Sequence, residues 1–133
     1  MVDLAYVNIF TGDLDRLAEF YRETFDLDEI VESRSPIFRG FRTAGSSIGF
    51  SSPEAYDLLG LRPLADEGDR AFQTFDVADG EAVRTLTRRA VSLGATTVKE
   101  PFVTYYGWYQ SVLRDPDGNA FRINCRHPED RAE

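Results

Sequence analysis

The side chains that most often do chemistry are scarce in this chain: one histidine, His127, one cysteine, Cys125, and one lysine, Lys99, among 133 residues. His127 stands beside Pro128 in an acidic tail, where an exposed role is the expectation. A lone cysteine excludes an internal disulfide and a cysteine-rich metal cluster, so Cys125 reads as a buried thiol. The 23 Asp and Glu residues fall mostly on predicted helix faces and in loops, where solvated and helix-start roles account for them. What stands out instead is aromatic. Thr104-Tyr105-Tyr106-Gly107-Trp108-Tyr109-Gln110 puts four rings into five residues around one glycine, more than a core strand requires. Tyr and Trp join a large apolar body to a polar tip, so some of these rings belong at a pocket mouth or a subunit contact.

The elements that position such groups are written most clearly at Leu113–Asn124, L-R-D-P-D-G-N-A-F-R-I-N. Asp115-Pro116-Asp117-Gly118 is a turn: Pro116 presets φ, the Asp side chains can accept from nearby N–H groups, and Gly118 takes a positive φ at no steric cost. Strands flank it. Earlier, Leu4–Phe10 reads as a strand, and Thr11-Gly12-Asp13 breaks it and offers a helix cap. Apolar residues then recur at helical spacing through Leu14, Leu17, Ala18, Phe20, Tyr21 and Phe25 to about Leu27. Strands are predicted near Glu29–Glu32, Ile37–Thr43 and Ser46–Phe50. Ser51–Asp69, with Pro53, Pro63 and Gly68, suggests a linker carrying a helical turn at Glu54–Leu59. The order then restarts: a strand Arg70–Val77, a helix Asp79–Leu93 ended by Gly94, and strands at Thr96–Tyr105, Trp108–Leu113 and after Gly118.

An offset of 66 residues lays Phe10-Thr11-Gly12-Asp13 over Asp76-Val77-Ala78-Asp79, Leu17 over Val83, Phe20 over Leu86 and Leu27 over Leu93. The fold expected is therefore α+β: two βαβββ modules forming a curved mixed sheet around a concave cavity. The whole, residues 1–133, reads as a single domain, with module one at about 4–51, a linker at about 52–69 and module two at about 70–125.

Composition narrows the partners. A net charge of −8 argues against nucleic acid and against anionic membrane surfaces, since both need clustered Lys and Arg, whereas a cationic ligand would be drawn to such a field. No run approaches a membrane span and Met1–Ala5 does not read as a signal peptide, so cytoplasmic residence is expected.

Tyr6-Val7-Asn8-Ile9-Phe10-Thr11-Gly12-Asp13-Leu14 with Phe20-Tyr21, and L-R-D-P-D-G-N-A-F-R-I at the end, together resemble the glyoxalase, bleomycin-resistance and ring-cleaving dioxygenase superfamily, the vicinal oxygen chelate proteins. The likeness runs from Leu4 to Asn124. In metal-dependent members it implies four ligand positions, on the first and fourth strand of each half, filled mostly by His, Gln or Glu. Here these positions fall on Tyr6, about Gly49, Phe72 and Arg122. None is a usual ligand, and a guanidinium repels a divalent cation. No metal and no cofactor is expected on this reading.

Period-two alternation phased from those positions turns Tyr6, Asn8, Phe72, Thr74, Arg122 and Asn124 to the concave face. These six, with Trp108, are the candidate ligand-binding residues, and no catalytic residue is assigned. Tyr6 and Phe72 could equally plug the space of a metal and fill a core. A buried Arg122 must be paired, with a carboxylate such as Asp76 or with an anionic ligand group. The residues thus favour a metal-free protein that binds a small organic molecule, and the resemblance implies sequestration of an antibiotic. A metal-dependent lyase, isomerase or dioxygenase is the alternative, and a module with a plugged cavity acting through its surface is a third reading. The resemblance also implies a homodimer, with the cluster near Trp108 as a candidate contact.

Overall fold

The computed structural model describes residues 4–64 and 68–128. It divides the chain into two compact units, Met1–Glu67 and Gly68–Glu133. In the first unit the order is β1 (Tyr6–Phe10), α1 (Leu14–Phe25), β2 (Asp28–Glu29), a 3₁₀ turn (Val31–Ser33), β3 (Phe38–Arg42), β4 (Ser47–Ser51) and α2 (Glu54–Leu59). The second unit contains β5 (Gln73–Asp76), α3 (Gly80–Ser92), β6 (Thr96–Val103), β7 (Tyr109–Arg114) and β8 (Ala120–Cys125). The sheets run β1-β4-β3-β2 and β5-β8-β7-β6. Each is an open mixed sheet in which the first strand lies parallel to the last and the other pairings are antiparallel. The architecture is α+β, two βαβββ modules.

The two helices that cover the sheets start in the same way. Asp13 accepts from Arg16 N at 3.2 Å and Asp79 from Ala82 N at 2.7 Å, so the repeat of 66 residues places an Asp N-cap at each helix start. α1 ends at Asp26, which takes a left-handed φ of 54°. Leu17, Ala18 and Tyr21 of α1 are buried with Phe41, Ile48 and Phe50, and Val83 and Ala90 of α3 with Leu113, Phe121, Ile123 and Cys125. Each of the larger of these side chains contributes roughly 1.5–3 kcal/mol through the apolar area it removes from water. The thiol of Cys125 is buried beside the carbonyl of Ala78 at 3.6 Å, the structural place expected of it.

The hairpin of β7 and β8 is closed by a carboxylate that serves as a backbone acceptor. Asp115 Oδ1 accepts from Asp117 N at 2.9 Å and from Asn119 N at 3.0 Å, while Gly118, at φ 93°, donates to Asp115 O at 2.8 Å. Asp115 is itself buried, so these bonds offset the cost of taking its charge out of water.

Several predicted boundaries move. The first strand begins at Tyr6, not Leu4. The strand expected at Glu29–Glu32 shortens to Asp28–Glu29, because Ser33 bonds back to Ile30 O through both its N–H and its hydroxyl and winds a 3₁₀ turn. β5 starts at Gln73 rather than Arg70, where its ladder to Phe121 begins. β6 stops at Val103, before Thr104 closes the next turn.

One ion cluster pins the first helix to its sheet. Arg39 on β3 is 3 % exposed; it donates to both oxygens of Glu29, at 3.1 and 2.9 Å, to Glu19 at 2.7 Å and to Asp15 at 3.1 Å. The hydrogen bond to Glu29 does most to raise the Arg39 pKa, and the same bond holds the Glu29 carboxyl below its ordinary value against the opposing effect of burial. Burial pushes Glu19 up, but hydrogen bonds from Arg39 and Arg22 outweigh it and the net shift is downward.

Arg39→Ala is therefore expected to cost about 3 kcal/mol in urea unfolding, since it leaves the largely buried Glu29 with only the longer 3.5 Å contact to Arg34. A carboxyl with a depressed folded pKa contributes stability that is complete above its unfolded value of about 4.3 and is lost as pH falls through the folded value. The unmodified protein should thus lose stability below pH ~4.3 more steeply than Arg39→Ala, as read by unfolding midpoints at stepped pH.

Candidate functional site

Strand register puts the candidate residues into two equivalent rows. In the first unit Asn8 of β1 lies opposite Gly49 of β4, and in the second Thr74 of β5 lies opposite Arg122 of β8. Tyr6 and Phe72 each stand two residues earlier. The rows carry different chemistry.

In the first unit the glycine position is closed. A Cβ on Gly49 would come within 2.6 Å of Asn8 Oδ1 and 2.7 Å of the Phe38 ring, and one on Gly40, its neighbour across β3, within 3.0 Å of the same ring. Phe38 therefore lies across the glycine pair, with Tyr6 beside it at 6.2 Å between ring centroids. Tyr6 and Asn8 belong to this packed aromatic patch.

The second unit gathers Phe72, Thr74, Trp108 and Arg122. The Arg122 guanidinium is 5.2 Å from the centroid of the Phe72 ring and 5.7 Å from that of Trp108. Its Nε donates to Thr74 Oγ1 at 2.7 Å, and its Nη1 to Gln110 Oε1 at 2.9 Å and Tyr106 Oη at 3.2 Å. All three partners are neutral, and Nη2 makes no hydrogen bond among the described residues. The loop that supplies Tyr106 and Trp108 is closed on Thr104, whose N–H donates to Trp108 O and whose carbonyl accepts from Gly107 N, and Gly107 takes φ 91°. Tyr106 meets Trp108 edge-on at 5.1 Å.

Beside this arrangement lies a partly open cleft of about 690 Å³, lined by Asp69, Arg70, Ala71, Phe72, Gln110, Val112, Ala120 and Arg122. That volume suits a small organic molecule. Phe72 is 59 % exposed, so it offers its ring to solvent and does not plug a core. Asp69 is committed to Arg114 through bonds of 2.7 and 2.8 Å, which hold its carboxyl below the usual range.

Asn124 and Asp76 depart from expectation. Asn124 is 0 % exposed; it donates to Asp76 Oδ1 at 3.1 Å, its own Oδ1 has no partner, and it is absent from the cleft lining. Asp76 bonds Asn124 and Arg126, at 3.0 Å, so it does not pair with Arg122. Gln110, Arg70 and Val112 were missed. The D-P-D-G turn could have found two of them, since the register it imposes sets Val112 opposite Arg122 and Gln110 opposite Asn124.

A profile of the Glyoxalase/Bleomycin resistance protein/Dioxygenase superfamily matches residues 3–123. The chain belongs to this superfamily. It is similar, at 48 % identity and a TM-score of 0.90 over 94 % of this chain and 99 % of the other, to a glyoxalase/bleomycin resistance protein/dioxygenase family enzyme from Burkholderia phytofirmans PsJN. A glyoxalase-related enzyme from Fulvimarina pelagi aligns with a TM-score of 0.83 at 21 % identity, covering 94 % of this chain and 88 % of that one. Lactoylglutathione lyase from Agrobacterium tumefaciens aligns with 0.71 at 20 %, covering 92 % of each. At such identities the last two establish the fold alone. A comparison with curated proteins gave no match.

The metal that the superfamily implies does not fit the residues that the resemblance sets at its ligand positions. Tyr6, Gly49, Phe72 and Arg122 offer a phenol, no side chain, a hydrocarbon ring and a cation, and Gly49 is covered by Phe38. Among the described residues no three His, Cys, Asp or Glu side chains are grouped so as to hold a metal ion.

Gly49→Ala should destabilise the protein by roughly 1–3 kcal/mol, because the Phe38 ring and Asn8 must move to admit the methyl group. The penalty should shrink in a Phe38→Ala background, measured as a double-mutant cycle in urea.

Proposed function

We propose that this protein binds a small organic molecule in the cleft of its second unit without a metal, with Arg122 and Phe72 on the cleft wall and Thr74 and Trp108, which do not line it, holding Arg122 in place. The observation that carries this reading is the setting of Arg122, a guanidinium held between two rings on neutral partners at the edge of a 690 Å³ cleft. Such a group fixes orientation while the rings supply area for burial and stacking. Binding of this kind needs no acid, base or nucleophile, and sequestration of a compound such as an antibiotic is the role that fits it. Tyr6, Asn8 and Asn124 are proposed to support the sheet faces from which the wall is built.

The alternative, a metal-dependent lyase, isomerase or dioxygenase, is favoured by the Burkholderia phytofirmans protein, which is described as a family enzyme. Its metal would need ligands other than Tyr6, Gly49, Phe72 and Arg122. A homodimer belongs to the same proposal, with the loop at Tyr105, whose ring is 99 % exposed, as its contact. So does cytoplasmic residence. Among the described residues no helix is long and apolar enough to cross a membrane.

Metal analysis of protein purified without chelator, followed by unfolding scans with added Zn²⁺, Ni²⁺, Mn²⁺ and Fe²⁺, tests the proposal. The expected outcome is substoichiometric metal and an unfolding temperature that none of the four ions raises. Stoichiometric metal, or a saturable rise in that temperature, would replace the proposal with the enzyme reading.

A further inference from the structure

Resting on the binding role proposed above, we infer that the ligand of the second-unit cleft is a flat apolar molecule carrying an oxyanion, a carboxylate or a phosphate, with Arg122 as its anchor and Arg70 as a second cation. Three of the eight lining residues are ionisable, and two of these are arginines. The third, Asp69, is neutralised by Arg114, both of its oxygens being engaged. Arg70 has no hydrogen bond or ion pair among the described residues, and no carboxylate of the described residues lies within ion-pair distance of Arg122. Among the described residues the cleft therefore carries an uncompensated positive charge, in a protein of net charge −8.

Arg39 shows the contrast within the same chain. Three carboxylates surround it, as expected for a buried cation with a purely structural role. Arg122 is half-buried between two rings, with Thr74, Gln110 and Tyr106 holding Nε and Nη1 in place, so the guanidinium is positioned but not neutralised. Its Nε and Nη1 hydrogens are all engaged, so an anion gains most by accepting from the two N–H groups of Nη2. Of the other five lining residues Gln110 is bonded to Arg122, and Ala71, Phe72, Val112 and Ala120 are apolar and suit a ring rather than a sugar or a peptide. At a position where the resemblance implies a metal ligand, this chain presents a cation.

Trp108 is the sole tryptophan and stands against Arg122, so its fluorescence reports directly on this site. The test is titration of the full chain with benzoate, phenyl phosphate, benzamide and benzylamine, followed by Trp108 emission and by calorimetry. Benzoate, phenyl phosphate or both should bind about tenfold or more tightly than benzamide, the difference expected of a charge-assisted hydrogen bond, and benzylamine most weakly. The tighter of the two anions identifies the oxyanion as carboxylate or phosphate. Arg122→Gln should abolish the preference. Arg70→Gln, which removes an exposed side chain without a partner, should reduce it severalfold with unfolding unchanged. If benzamide binds as tightly as the anions, or if the preference survives Arg122→Gln, the anion inference falls and the small-molecule site stands. If none of the four probes binds, both fall.

Discussion

Each module depends on one constraint, the parallel pairing of its first strand with its last. An antiparallel meander of three strands follows each helix, and the opening strand joins it only by lying beside β4 or β8. A parallel neighbour needs a crossover, and α1 and α3 supply it, each started by an Asp at the same point of the repeat. The helix then covers one face and leaves the other open. Because side chains alternate, the register Asn8↔Gly49 and Thr74↔Arg122 decides which residues share that open face.

The two modules spend this shared frame differently. In the first, the absence of side chains at Gly40 and Gly49 leaves room for the Phe38 ring over both positions, and the row is closed by packing. In the second, the corresponding row keeps an arginine beside a partly open cleft. A duplicated fold tolerates this divergence because the helix-side cores carry the stability. Leu17, Tyr21, Phe41 and Phe50 in one unit, and Val83, Leu113, Phe121 and Ile123 in the other, are fully buried irrespective of what the open face holds.

The two arginines, Arg39 and Arg122, separate structure from binding within one chain. Arg39 faces the helix side, where Asp15 and Glu19 descend from α1 and Glu29 closes from β2, and its charge is spent on holding the helix in place. Arg122 faces the open side, where its bonds go to a hydroxyl, an amide and a phenol. Direction on the strand, not residue type, makes the difference. Phe72 and Trp108 reinforce it, since cation–π contact holds a guanidinium in position without cancelling its charge.

Much of the fold was legible in the sequence because its signals are local. The Asp caps, the helical spacing of Leu14–Phe25, the D-P-D-G turn and the repeat at 66 residues each rest on neighbours within a few positions, and each marks an element that forms. The short elements were less legible, as at Val31–Ser33, where the two bonds from Ser33 back to Ile30 O outweigh β-propensity. Superfamily membership followed from those same local markers. The partners of Arg122 could not be read in this way, since Thr74 lies 48 residues away and the expected partner, Asp76, is held instead by Asn124 and Arg126. Nor could the covering of Gly49 by Phe38, which exists only once β3 and β4 pair. Propensity and turn chemistry act along the chain and are written in it; charge pairing and ring packing act across strands, and only the tertiary structure decides which groups meet.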